Sequence, residues 1–132
     1  MPWNYPHYQL VRLIAPNLLL GNSILFKHAQ ICRRTAELVE ELFERAGAPQ
    51  HVVHHSGFSH AETSAAITHP TVTGVSFTGG ETAGAAIAKT AGGALKKAVL
   101  ELGGNDPFLV FDGERVSELA ELVASARLAN AG

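Results

Sequence analysis

Thr73-Gly74-Val75-Ser76-Phe77-Thr78-Gly79-Gly80-Glu81-Thr82-Ala83-Gly84-Ala85-Ala86-Ile87-Ala88 is the stretch that decides the fold class. Its opening, Thr73 to Phe77, carries β-branched and aromatic residues and reads as a strand. Glu81 to Ala91 reads as a helix, with Gly92-Gly93 as its stop. A strand that turns through glycine into a helix is the building unit of a parallel sheet with helical crossovers.

The same alternation extends in both directions. Upstream, Tyr8 to Leu20 predicts a helix that Pro16 bends or divides and Gly21 closes. Ser23 to Lys27 predicts a strand. Gln30 to Ala46 has apolar residues at Ile31, Leu38, Val39, Leu42 and Phe43, a helical spacing, with Gly47 and Pro49 as a stop. His51 to His55 predicts a second strand and Ala61 to Ile67 a short helix. Downstream, Ala98 to Leu102 and Pro107 to Phe111 predict strands. Ser117 to Leu128 predicts a last helix, with Ser117 as its candidate cap. The expected fold is α/β, a Rossmann-like parallel sheet with helical crossovers. A boundary is expected near Gly103-Gly104, where two strand-like runs meet without a helix between them.

Composition narrows the class. The chain has 132 residues, enough for one domain, and 46% of them are hydrophobic, enough for a packed core. A formal charge of −2 offers no basic face for nucleic acid. A single cysteine excludes an intrachain disulfide and fits a cytoplasmic location. The most apolar stretch, Tyr8 to Phe26, is interrupted by Arg12, Pro16 and Asn17, which argues against a membrane span. No basic segment precedes it, so no signal peptide is expected.

In an open parallel sheet, ligands bind beyond the carboxyl ends of the strands. Those ends are Lys27, Ser56-Gly57, Thr78-Gly79-Gly80 and Glu101 to Gly104. They offer a cation, glycine turns and a carboxylate, which is the chemistry of a nucleotide site. Thr78-Gly79-Gly80 opens a helix whose free N–H groups attract phosphate, or it is a plain tight turn. Glu101, ending an apolar strand, is a general base if desolvation raises its pKa, or an exposed strand-end residue. Asn4, framed by Pro2 and Pro6, is an oxyanion donor or a turn residue.

Two other groups carry less. Cys32 begins a helix beside Arg33 and Arg34, which favours a thiolate, but no base adjoins it and it reads as a bystander thiol. On a strand, His51 and His55 share one face and His54 takes the other. With no H-E-x-x-H helix or cysteine pair nearby, no metal site is expected.

Several of these segments also resemble one family, in order and in register. Met1-Pro2-Trp3-Asn4-Tyr5-Pro6 resembles the P-W-N-[FY]-P segment of aldehyde dehydrogenases. Ala15-Pro16, Gly21-Asn22 and Lys27 are similar to that family's A-P-A-L-x-x-G-N-x-x-x-x-K run. Phe77-Thr78-Gly79 resembles its F-T-G-S turn, and Leu100-Glu101-Leu102-Gly103-Gly104 its L-E-L-G-G signature. Asn130-Ala131-Gly132 resembles the start of N-x-G-Q-x-C. Lys27-His28-Ala29 and Asn105-Asp106-Pro107-Phe108 are similar to the succinate-semialdehyde dehydrogenase branch.

The resemblance implies residues 1–104 as part of the cofactor-binding domain and 105–132 as the start of the catalytic domain. It implies NAD or NADP as cofactor and a small-molecule aldehyde as substrate, with homo-oligomers when full length. Asn4 would stabilise an oxyanion and Glu101 would activate the water that hydrolyses a cysteine thioester. Lys27 would bind the adenine ribose, with Gln30 beside it. Pro2 and Trp3 would line the cofactor cleft. Thr78, Gly79, Gly80 and Ala83 would lie near the pyrophosphate, and Leu102 and Gly103 would complete the cofactor surface. Three departures stand out. The Q-x-C part of the cysteine motif lies beyond Gly132, so the chain alone is expected to be inactive. Gly80 replaces the usual serine. Gln30 stands where NAD-preferring members often carry Glu. The alternatives are a nucleotide-binding module without chemistry, or a structural remnant.

Overall fold

The computed structural model describes residues 1–111 and 113–129; the Asn130-Ala131-Gly132 motif lies outside them. Its elements run α1 (Pro6–Leu19), β1 (Ile24–Phe26), a 3-10 turn (Gln30–Cys32), α2 (Arg33–Arg45), β2 (Val53–His55), α3 (His60–Thr68), β3 (Gly74–Thr78), α4 (Glu81–Gly93), β4 (Lys97–Glu101) and α5 (Val116–Leu128). The strand–helix alternation is as the sequence predicts.

Both strand pairings are parallel. β1 pairs β2, Ile24 with Val53 through Phe26 with His55. β3 pairs β4, Gly74 with Lys97 through Thr78 with Glu101. The described residues thus hold two two-stranded sheets rather than one continuous sheet. The main core lies over the first pair, where Leu10 and Ile14 of α1 and Ala36 of α2 close on Ile24, Phe26 and Val53. Full burial of Leu10 contributes about 2 kcal/mol. Ile67 of α3 and Ala91 of α4 are buried beside the second pair.

Three helix ends share one device. After α1, the amide of Gly21 donates to the Leu18 carbonyl (2.9 Å) and that of Asn22 to Asn17 (3.0 Å), with Gly21 at φ +81°. After α2, Gly47 and Ala48 repeat the pattern onto Glu44 and Phe43, with Gly47 at φ +79°. Both are Schellman closures, which need a left-handed residue. After α4 the left-handed residue is not a glycine. Leu95 takes φ +56° with its side chain in solvent, and the amides of Leu95 and Lys96 bond Gly92 and Ala91. Gly92-Gly93 therefore sit in the last turn and Leu95 performs the stop. A β-carbon in this conformation costs about 1–2 kcal/mol, partly offset by glycine's greater unfolded freedom. Leu95→Gly is expected to stabilise the chain by about 1 kcal/mol, read as a higher denaturant midpoint at unchanged slope.

Four sequence expectations are revised. Pro16 does not divide α1; it removes the amide that the Arg12 carbonyl would accept, and the helix continues for three residues. Ser117 lies inside the first turn of α5, and Arg115 occupies the cap position, its side chain paired with Glu118 (3.5 Å) rather than capping the helix. α3 begins at His60, one residue before the sequence reading, because Ser59 and Glu62 form a reciprocal capping box. Pro107 to Phe111 forms no strand, since no segment among the described residues pairs with it. Val110 instead joins α5 residues around a shallow apolar groove of about 580 Å³. α5 buries none of its own residues, and Leu19 and Leu20 at the end of α1 are exposed. No helix among the described residues is long and apolar enough to cross a membrane.

Candidate active site

The strand ends bring the predicted residues into two groups. The first surrounds the end of β1. The Met1 amino group donates to the Lys27 carbonyl (2.7 Å), and the Ala29 amide donates to the Met1 carbonyl (3.0 Å). The Cys32 thiol lies 3.9 Å from the Trp3 carbonyl. These contacts lay Met1 to Trp3 alongside Lys27 to Cys32. Pro2, Trp3, Asn4, Lys27 and Gln30 therefore stand together, with Trp3, Asn4 and Gln30 exposed. Asn4 lies in the bend that leads into α1, which starts on Pro6 as a helix readily does. His28, which the sequence reading used only as a branch marker, is 3% exposed and packs against Phe26. Burial lowers its pKa to about 4, so it is neutral at pH 7.

The second group forms around β3 and β4. Thr78 faces Glu101 across the parallel ladder, and the Gly79 amide donates to the Glu101 carbonyl (3.0 Å). The glycine turn is thus bonded directly to the candidate base. Gly80 caps α4 without a side-chain hydrogen bond, and a β-carbon there would meet open space. The amides of the first turn, Ala83 included, are left without a side-chain acceptor, which suits a phosphate oxygen. Leu102 turns back onto α4. A β-carbon on Gly84 would lie 2.3 Å from its Cδ2, so Gly84 provides the seat for that side chain. Gly103 follows, exposed.

A residue that sequence reasoning overlooked joins the two groups. Arg12 of α1 pairs with Glu101 at 2.5 Å. Arg12 is the lone cation in the apolar run Tyr8 to Phe26, and that isolation was a usable signal. Because α1 starts two residues after Asn4, the pair ties the Asn4 bend to the end of β4. It also corrects the premise for Glu101, whose side chain is 34% exposed and ion-paired rather than desolvated. The Cys32 thiol contacts the Trp3 carbonyl and is a free, partly buried thiol.

The arrangement is a carboxylate and a glycine-capped helix end at the adjoining ends of β4 and β3, with an exposed amide in the bend ahead of α1. Residues 1–132 match the aldehyde dehydrogenase family over the whole chain. This chain belongs to the aldehyde dehydrogenase family. A succinate-semialdehyde dehydrogenase [NADP(+)] of Deinococcus radiodurans is 49% identical over 131 residues, covering 99% of this chain and 28% of that protein. A succinate semialdehyde dehydrogenase [NAD(P)+] of Escherichia coli is 39% identical, covering 100% of this chain and 29% of that protein. The crystal structure of a succinic semialdehyde dehydrogenase from Streptococcus pyogenes, in complex with NADP+, superposes with a TM-score of 0.89 at 44% identity. It is matched over 99% of this chain and 29% of that one. The aldehyde dehydrogenase chain described here spans less than a third of the length of these relatives.

Proposed function

We propose that this chain supplies the cofactor surface, the general base and the oxyanion donor of an NADP-accepting aldehyde dehydrogenase acting on succinate semialdehyde. The observation that carries the reading is the Gly79–Glu101 backbone bond, which fixes a phosphate-type turn and a carboxylate at adjoining strand ends. The cofactor fits the residues present: α4 begins on an uncapped glycine with open space around it. Thr78, Gly79, Gly80 and Ala83 would hold the pyrophosphate, Lys27 and Gln30 the adenine ribose, and Pro2, Trp3, Leu102 and Gly103 the flanks. When bound, the nicotinamide supplies the hydride acceptor.

The remaining steps fall to side chains. A cysteine thiolate attacks the aldehyde carbon, and the carbonyl electrons move to oxygen, where the Asn4 amide donates to the negative charge. Loss of hydride leaves a thioester. Glu101 takes a proton from water, and the oxygen attacks the thioester carbon. The carbon–sulfur bond breaks, giving the carboxylic acid and restoring the thiolate. The nucleophile is assigned to the cysteine of the family motif that Asn130-Ala131-Gly132 resembles, not to Cys32. Residues 1–104 would form the cofactor-binding part and 105–132 the start of the catalytic part, in a homo-oligomeric cytoplasmic enzyme.

The test is reduced-cofactor formation by the complete protein containing this segment, with succinate semialdehyde and either NADP+ or NAD+. No reduction of either cofactor overturns the reading. A sharper form uses Gln30, which accepts hydrogen bonds from a ribose but carries no charge to repel a 2′-phosphate. Gln30→Glu is expected to favour NAD over NADP by about 1–3 kcal/mol, roughly 5- to 150-fold in the ratio of kcat/KM. A ratio that stays put or moves toward NADP removes Gln30 from cofactor choice.

A further inference from the structure

The sequence reading expected no metal site here, for want of an H-E-x-x-H helix or a cysteine pair, and an ideal strand puts His51 and His54 on opposite faces. In the structure His51 lies ahead of β2 and takes a left-handed conformation, φ +62°. That residue breaks the alternation and brings its ring against His54, with centroids 5.3 Å apart and planes at 87°. Glu40 of α2 completes the group: its Oε1 lies 2.5 Å from His54 Nδ1, and its Oε2 accepts from the His55 amide (3.2 Å). One donor atom from each of Glu40, His51 and His54 lies within 4.8 Å of the other two. Burial disfavours charge on Glu40, but the bonds from His54 and the His55 amide outweigh it and hold the carboxyl below its usual range.

We propose that Glu40, His51 and His54 form a binding site for one divalent ion of the zinc type. Two imidazoles and a carboxylate suit zinc, with a fourth position left to water. Ligands of zinc stand about 2.0–2.2 Å from the ion and hence roughly 3.3 Å from one another. The exposed His51 ring has the freedom to close that gap. A left-handed histidine is also a strained one, and such outliers point to function rather than follow from it. The site lies at the amino end of β2, away from the strand ends that carry Glu101 and Lys27. Its ion would clip the turn between α2 and β2 and take no part in the chemistry.

The experiment is a titration of the purified, chelator-treated protein with zinc chloride, followed by cobalt chloride for its visible absorption. Saturation at one ion per chain and a rise in Tm are expected. His51→Gly removes a ligand while relieving the left-handed strain, so the variant folds at least as well. It should bind zinc on the order of 100-fold more weakly, since even supporting residues of metal sites are worth 10–100-fold. Glu40→Gln should weaken binding as well. His60→Gln, an exposed histidine at the start of α3, should leave it intact. Equal affinity in wild type and His51→Gly, a loss caused by His60→Gln instead, or no saturation at one ion overturns the proposal.

Discussion

Glu101→Gln in the complete enzyme is expected to leave a one-equivalent burst of reduced cofactor and to cut steady turnover by about 10²–10⁴-fold. The substitution keeps the shape of the side chain and removes its basicity. Thiolate attack and hydride loss require no proton acceptor at Glu101 if the cysteine is already ionised, so the first half of the cycle survives. Hydrolysis does require one, because neutral water is a poor nucleophile toward a thioester. The enzyme then accumulates as the acylated form. Rapid mixing separates the two halves. A burst that slows together with turnover would mean that Glu101 also deprotonates the cysteine. An unchanged burst with unchanged turnover would leave Glu101 as an ordinary strand-end residue paired to Arg12.

Asn4→Ala should fail at the opposite point in the cycle. An oxyanion donor acts when the carbonyl oxygen first becomes negative, so its loss falls on the burst itself. Removing one such donor costs about 10²–10³-fold in rate. Asn4 is exposed in the bend ahead of α1 and is not needed to start that helix, whose first residue is a proline. Loss of activity should therefore come without loss of stability. The measurement is the burst rate beside a thermal melt. A normal burst with slow turnover, or a large fall in Tm, would assign Asn4 a different role.

The fold was legible wherever local chemistry and burial agreed. Alternating strand and helix patterns located, within a few residues, the four strands and five α-helices that the described residues form. Gly21 and Gly47 were readable as stops because a left-handed turn favours glycine. The errors have physical causes. On the Gln30 to Ala46 stretch, helical spacing picked out Ile31, Leu38, Val39, Leu42 and Phe43; Val39 and Phe43 pack on the core, but Ile31, Leu38 and Leu42 are exposed and Ala36 is the residue buried there. Pattern cannot say which apolar stripe has a partner. Pro107 to Phe111 has strand composition, but a strand exists only where another backbone pairs with it.

The candidate site was legible in part. The carboxyl-end rule brought Thr78, Gly79 and Glu101 together, and the ladder register places them so. The Arg12–Glu101 pair was not legible, because nothing in the spacing of residues 12 and 101 announces a contact across the fold. The conformation of His51 was equally hidden. A non-glycine residue with positive φ is a consequence of the surrounding structure, not of its own preference.

The hydrogen bond from Gly79 to the Glu101 carbonyl has a consequence for how such a protein can change over generations. On the roles proposed above, it would make the cofactor turn and the hydrolytic base one inherited unit. A β-carbon on Gly79 would lie 2.7 Å from the Phe77 ring, so the turn has little room to drift without moving its neighbours. With those roles, a lineage that reshaped this loop to accept a different dinucleotide would also shift the carboxylate proposed to release the product. If Gln30 faces the ribose as proposed, cofactor choice would be freer to evolve there, at an exposed residue in a turn distant in sequence from Gly79 and Glu101. Descendants that switch coenzyme should therefore carry their first substitutions there, and leave the glycine turn as it was.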